Sequence, residues 1–135
     1  MPVSDVDRAL RLSVDRVGFA LDVDDAPNDA FRVVQLTPPG SACSIQIGLG
    51  LTDAPAGSVR NADLVVTDLE AARRGLLARG VAVGEIRHKT PVGAWGGGFA
   101  PGVDPTRGDD ASFADFCDPD GNRWVLQERG HRTAS

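Results

Sequence analysis

The chain has 135 residues, of which 24% are charged, and its 19 acidic residues outnumber its 14 Lys and Arg residues to give a net charge of -5. A chain of this length predicts one domain, residues 1–135, with an ordinary hydrophobic core. The acidic balance argues against a nucleic-acid partner. Its apolar runs are too short to span a membrane, and two distant cysteines without a secretory signal indicate a reduced, cytoplasmic protein. A small organic molecule is the expected partner.

The sequence contains an internal repeat. Residues 3–9 (VSDVDRA) recur 63 positions later as residues 66–72 (VTDLEAA). The same register aligns two pairs of arginines: Arg11 with Arg74, and Arg16 with Arg79. We therefore predict two tandem modules of the same architecture, residues 1–57 and residues 58–135.

Each module is predicted to open with a helix. Ser4 can act as the N-cap of the first helix, with Asp7 three residues later, and Thr67 and Glu70 repeat this capping-box arrangement in the second. Apolar residues then recur at helical spacing. A glycine is predicted to end each helix: Gly18 in module one and Gly80 in module two.

After each helix the hydrophobic pattern becomes alternating, which predicts strands. The predicted strands are residues 19–23, 31–36 and 43–49 in module one, and residues 82–89, 113–117 and 123–128 in module two. Module two has a further strand before its helix, residues 59–66, but only residues 1–3 occupy that place in module one. The first strand of module one is thus missing or truncated. A late start codon, a trimmed chain or an open sheet edge covered by something else would each explain this.

Residues 116–128 predict a closing hairpin. Pro119 presets φ for a turn, Gly121 and Asn122 tolerate positive φ, and Asp118 can accept from the turn amides. This hairpin and the βαβββ repeat resemble the vicinal oxygen chelate superfamily of glyoxalases, bleomycin-resistance proteins and ring-cleaving dioxygenases. Similarity to an actinobacterial-type glyoxalase-like group covers four stretches: residues 2–9, 31–44, 78–83 and 99–116. The resemblance implies an α+β fold in which two βαβββ modules form a cup-shaped mixed sheet.

The resemblance also implies where a metal would be held, on the first and last strands of each module. These positions fall at Asn61 and Val125 in module two, and at or near Ser44 in module one. A neutral amide is a poor ligand for a transition metal and valine has no donor atom, so no metal and no cofactor are predicted. The chain has only two histidines, His88 and His131, which agrees with this. A divalent metal remains the alternative if the missing strand carries ligands.

Strand alternation predicts which side chains line the cup. The predicted ligand-binding residues are Gln46, Asn61, Asp63, His88, Trp95, Phe99, Arg123 and Gln127. His88 and Asp63 are the candidate catalytic residues, because His88 is a strand side chain suited to acid–base chemistry near neutral pH. Simpler roles stay open: Asp63 can pair with Arg123, Asn61 with Gln46, and His88 can lie at a solvated edge.

The connection over residues 90–111 is unusually long and rich in Gly and Pro. Loops of this kind are often lids, and Trp95 and Phe99 would place aromatic surface on it, suited to closing over an apolar or aromatic ligand. Both aromatic side chains could equally fold back onto the sheet or into a dimer contact.

Two functions follow from these observations. The first is metal-independent binding of a small organic ligand, with aromatic molecules included, in the manner of bleomycin-resistance proteins. The alternative is an enzyme of the same superfamily acting on a small metabolite, either a lyase or isomerase similar to lactoylglutathione lyase, or a dioxygenase. The resemblance further implies a homodimer.

Overall fold

A computed structural model of the chain describes residues 1–91 and 96–132. It combines helices with antiparallel and mixed β-sheets, which confirms the predicted α+β class. The chain divides into two compact units: the first comprises Met1–Arg60 and Cys117–Arg123, and the second comprises Asn61–Phe116 and Trp124–Ser135. Among the described residues, no helix is long and apolar enough to cross a membrane.

The first unit opens with helix α1, Val6–Arg11, which continues into a π-helical segment, Leu12–Val17. The N-cap is Asp5, whose carboxylate accepts from a first-turn backbone amide at 3.0 Å. The prediction of Ser4 as the cap was therefore wrong by one residue. Gly18 ends the helical segment in the left-handed conformation, with φ +92°, as its position in the sequence predicts.

A three-stranded antiparallel sheet follows, in the order β1-β2-β3. Its strands are β1 Ala20–Asn28, β2 Phe31–Thr37 and β3 Ile45–Leu49. Val34 and Leu36 are buried together with Ile47, the cross-strand partner of Val34, so these side chains form the core on one face. Gln35 and its partner Gln46 lie on the other face. The nine residues of β1 are all exposed.

The N-terminus and the predicted turn are joined by hydrogen bonds within the first unit. The Met1 amino group donates to the Gln46 carbonyl on β3 at 2.7 Å, and the Asn122 amide side chain donates to the Pro2 carbonyl at 2.7 Å. Asp118 accepts from the backbone amide of Asn122 at 2.9 Å, which is the bonding predicted for this turn. In the part of the chain that the structure describes, no strand precedes α1.

The second unit contains helix α2 and a five-stranded mixed sheet in the order β4-β8-β7-β5-β6, with β4 parallel to β8. Its elements are β4 Ala62–Val66, α2 Leu69–Ala78, β5 Arg87–Thr90, β6 Gly98–Pro101, β7 Ser112–Cys117 and β8 Arg123–Glu128. The strand predicted over residues 82–89 is reduced to an isolated bridge at Val83 and to β5. Strand β6 lies in a segment that the sequence predicted to be a loop.

The start of α2 is tied to the end of β8. Asp68 is the N-cap, not the predicted Thr67, and its carboxylate accepts from a first-turn amide at 3.0 Å. The Glu128 side chain, which is 0% exposed, accepts from the Leu69 amide at 2.8 Å. Arg107 binds both Glu128 oxygens, with Nε 2.7 Å from Oε1 and Nη2 2.6 Å from Oε2. These bonds attach the segment before β7 to the helix start.

Candidate functional site

The two faces of the second sheet are distinguished by its cross-strand pairs. His88 is paired with Ser112, and Arg87 with Phe113, so these two pairs project to opposite faces. The His88 face is buried: Phe116, which has the same parity as Ser112, stacks on Trp124 with ring centroids 6.4 Å apart. The opposite face carries Asp63, Val65, Arg87, Phe113, Asp115, Val125 and Gln127.

Four side chains of the second unit form one cluster, here called the Arg87 cluster: Arg87, Phe99, Phe113 and Asp115. The Arg87 guanidinium lies over both rings, 5.2 Å from the Phe99 centroid and 5.7 Å from the Phe113 centroid. The two rings meet edge to face at 6.2 Å. Asp115 accepts from Arg87 Nη2 at 3.1 Å and holds the guanidinium in place.

The Arg87 cluster is suited to binding a flat aromatic group. Phe113 is buried, whereas Phe99 is 55% exposed, so one ring supports the other while the outer ring stays available. Aromatic pairs prefer edge-to-face or offset-stacked contacts and contribute about 0.5–1.5 kcal/mol beyond area burial. A guanidinium stacked on a ring adds about 0.5–1 kcal/mol at an exposed site. A ligand ring placed on Phe99 would meet both kinds of surface.

His88 lies apart from this cluster. Its Nδ1 is 2.8 Å from the Gly102 carbonyl oxygen, on the face opposite to Asp63. Beside it is Asp104, which is buried; a hydrogen bond from the Gly108 amide at 2.8 Å holds the pKa of Asp104 below its usual range, with a smaller contribution from His88. The two candidate catalytic residues, His88 and Asp63, therefore do not meet on one face of the sheet.

The remaining predicted ligand-binding residues are placed as follows. In the first unit, Gln46 donates to Gln35 at 3.5 Å, and Arg123 Nε donates to a backbone carbonyl, that of Arg60, at 3.0 Å. In the second unit, Asn61 is exposed just before β4, and Gln127 donates to Asp110 at 2.6 Å. Trp95 lies outside the described residues. Phe99 is thus the predicted residue that the structure brings into the Arg87 cluster.

Two of the metal positions that the resemblance implies carry side chains that are poor ligands for a transition metal. Val125 has no donor atom, and Asn61 offers only a neutral amide. One acidic and histidine group occurs elsewhere in the described residues: ligand atoms of Asp68, Glu128 and His131 lie within 4.8 Å of one another. Arg107 already donates to both of these carboxylates, so the group is an ion-pair network that ties the start of α2 to β8.

Three members of the Arg87 cluster were not predicted from the sequence. Arg87, Phe113 and Asp115 become neighbours only when β5 pairs with β7, and Arg87 and Asp115 are 28 residues apart. Phe113 and Asp115 are two residues apart on one predicted strand, so the sequence already indicated that they share a face. That face could have been proposed as an aromatic and acidic surface, but the sequence did not indicate which strand pairs with it or in which register.

Comparison with solved structures places the chain in a family. TnmS3, an antibiotic binding protein from Streptomyces sp. CB03234, is 31% identical, with a TM-score of 0.71 over 96% of this chain and 90% of that chain. A glyoxalase/bleomycin resistance protein from the same source is also 31% identical, with a TM-score of 0.69 over 95% of both chains. A glyoxalase/bleomycin resistance protein/dioxygenase superfamily member from Sphaerobacter thermophilus DSM 20745 is 27% identical, with a TM-score of 0.63 over 96% of this chain and 94% of that one.

No family model matches the chain, and no curated protein matches it. The solved structures are sufficient to assign the family, because 31% sequence identity extends over nearly the whole of both chains. The chain belongs to the glyoxalase/bleomycin resistance protein/dioxygenase superfamily, and the resemblance stated from the sequence is confirmed.

Proposed function

We propose that this protein binds a small aromatic organic molecule without a metal ion and works by sequestering it. The observation that carries the proposal is the Arg87 cluster, in which the exposed ring of Phe99 is backed by the buried ring of Phe113 and by a guanidinium. The antibiotic-binding role of TnmS3, a relative over nearly the whole chain, supports the same class of ligand. Sequestration requires a shaped surface and no chemical step.

Metal independence is supported by the chemistry of the side chains. An ion bound in the superfamily's manner would need oxygen or nitrogen donors, and Val125 offers none. The arrangement of His88 and Asp63 on opposite faces of the second sheet also gives no support to a joint acid–base role. Binding without catalysis is therefore favoured over the lyase and dioxygenase alternatives.

The proposal is tested by titrating the protein with a panel of polycyclic aromatic antibiotics and following tryptophan fluorescence and heat. We expect one class of compound to bind saturably. Phe99→Ala should weaken that binding by up to about tenfold, since an aromatic contact contributes roughly 0.5–1.5 kcal/mol. Leu77→Ala is the matched control, because Leu77 is an exposed apolar residue on α2 rather than on the sheet. Equal affinities for the two variants would contradict the assignment of the Arg87 cluster.

A second titration tests metal independence. Protein treated with a chelator should bind the same compound with unchanged affinity, and added Ni, Co, Zn, Mn or Fe(II) should not raise its melting temperature. If one ion stabilises the protein increasingly with its concentration, and the ligand binds only when that ion is present, the proposal is wrong. A metal-dependent enzyme would then be the favoured function.

We also propose that the protein is a cytoplasmic homodimer. Exposed apolar side chains on the strands of the first sheet, Leu21, Val23 and Leu49, are suited to contact with a second copy. Light scattering after gel filtration tests this, and a monomer at micromolar concentration would refute it.

A further inference from the structure

A separate surface of the first unit has the composition of an anion-binding site. A groove of about 440 Å³ is lined by Arg8, Arg11, Leu12, Asp15, Arg16 and Pro119, and is here called the arginine groove. Three guanidinium groups and one carboxylate line it, and Asp120, which pairs with Arg8, lowers the local net charge from +2 to +1. The whole protein has a net charge of -5, so the groove is opposite in sign to the chain as a whole.

The π-helical segment begins directly after Arg11 and contains Arg16, and both arginines line the groove. In an α-helix, residues five apart are separated by about 140° around the axis, so Arg11 and Arg16 would point in different directions. A π-helix bonds each residue to the one five positions along, so such residues lie closer together around the axis than in an α-helix. Arg74 and Arg79 occupy the same places in the repeat, but α2 is α-helical through Ala78 and Arg79 is its C-cap.

The three guanidinium groups of the groove differ in their partners: Arg8 and Arg16 each have one, whereas Arg11 does not among the described residues. Within the described part of the chain, the Arg11 guanidinium has no hydrogen bond or ion pair. Arg8 is paired with Asp120 at the long distance of 3.8 Å, and its side chain is 47% exposed. Asp120 also accepts from the Ser4 amide at 3.0 Å, which fixes the turn that carries Pro119 against the start of α1.

We propose that the arginine groove binds a small organic anion through a phosphate or carboxylate group. Planar guanidinium groups match both oxyanions with paired hydrogen bonds, and Leu12 and Pro119 offer apolar surface to the organic part. A small ligand fits better than a polyanion, because the groove holds about 440 Å³ and the net charge of -5 repels an extended negative chain. The site is independent of the aromatic ligand proposed for the Arg87 cluster.

The internal repeat supplies a matched pair of double variants for the test. Wild-type protein is titrated at low ionic strength with inorganic pyrophosphate and, separately, with citrate, by calorimetry and by thermal shift. We expect saturable binding that Arg11→Gln/Arg16→Gln weakens by at least about tenfold, given the strength of hydrogen bonds between charged groups. Arg74→Gln/Arg79→Gln removes the same charge from α2 and should bind as the wild type does. Tighter binding of pyrophosphate or of citrate identifies the oxyanion.

Several results would overturn the proposal. These are no saturable binding of either probe, an equal loss in the two double variants, or tighter binding of a single-stranded oligonucleotide than of pyrophosphate. If Arg11→Gln/Arg16→Gln does not fold by circular dichroism, Arg11→Gln alone decides the question, because that side chain has no partner to lose among the described residues. Unchanged affinity in that single variant would also reject the site.

Discussion

Replacing Glu128 by Gln should cause a large loss of stability. Glu128 is 0% exposed and accepts from the Leu69 amide and from two nitrogens of Arg107, whose side chain is 15% exposed. Glutamine keeps the shape of the side chain but removes the charge and turns one acceptor into a donor. That NH2 group would face either Arg107 or the Leu69 amide, both of which are donors.

The size of the loss follows from the burial of the pair. Removing one partner of a buried ion pair costs about 3–5 kcal/mol, because the other charge stays buried without compensation. Arg107 keeps Glu70 at 2.9 Å and Asp68 at 3.5 Å, so we place the loss for Glu128→Gln at the lower end, roughly 3 kcal/mol. For a domain of this size such a loss lowers the melting temperature by about 10 °C.

Chemical denaturation and a thermal melt measure the effect. The matched control is Glu85→Gln, which breaks the ion pair with Arg73 at 3.4 Å while the Glu85 side chain is 93% exposed. An exposed pair of this kind contributes no more than about 1 kcal/mol. If Glu128→Gln costs no more than Glu85→Gln, the buried network does not stabilise the second unit and the reasoning is refuted.

The same pair makes a signed prediction for pH. Burial acts to raise the pKa of Glu128, but the hydrogen bonds from Arg107 and from the Leu69 amide outweigh it and leave the pKa below the usual 4.5. A lowered carboxyl pKa adds stability that is fully present above 4.5 and is lost as the pH falls from there through the folded-state value. The stability gap between wild type and Glu128→Gln should therefore narrow in acid. A gap that stays constant below pH 4.5 would contradict the ionised pair.

Three further predictions are independent of this one. Asp104→Asn should cost about 1–3 kcal/mol in denaturation, because it leaves donors in the buried segment unsatisfied, and full stability would contradict that role. Gly57→Ala should lower the melting temperature more than Gly130→Ala. Both glycines have positive φ, which costs an alanine roughly 1–2 kcal/mol. Of the two, it is at Gly57 that an added Cβ would also lie 2.0 Å from a backbone oxygen. Cys43 and Cys117 are exposed and free, so both should react with a thiol reagent in the folded protein, and protection of either would contradict its exposure.

Much of the fold could be predicted from the sequence, because helices and strands leave local patterns of residue spacing. Helical spacing and alternation predicted both helices and most strands, and the 63-residue repeat predicted that the pattern would recur. The helix caps show where local signals end. Ser4 precedes Asp5, and Thr67 precedes Asp68, so each helix has two adjacent residues able to cap it. A tertiary contact removes Ser4 from that choice, since its amide and hydroxyl bond to Asp120.

Less of the candidate site could be predicted from the sequence, because its residues become neighbours only when the strands pair. Phe99 was predicted from an aromatic residue in a glycine-rich segment, but that segment forms β6 and pairs with β5. The sequence could not supply the register that brings Arg87 beside Phe113, nor the face on which His88 lies. Both depend on β7, whose contacts with β5 span more than twenty residues of chain. Alternation in the sequence predicts which residues of a strand share a face. Which face of the sheet they lie on depends on how the strands pair.

The two copies of the module differ in backbone at a place where their residue types agree. The repeat puts arginine at Arg11 and Arg74, and again at Arg16 and Arg79, yet only the first copy continues its helix with a π-helical segment. Residue identity alone would therefore assign the same property to both helices. The groove lined by guanidinium groups lies on the first of these two helices. Removing the same two charges from each copy thus separates the effect of backbone register from that of net charge.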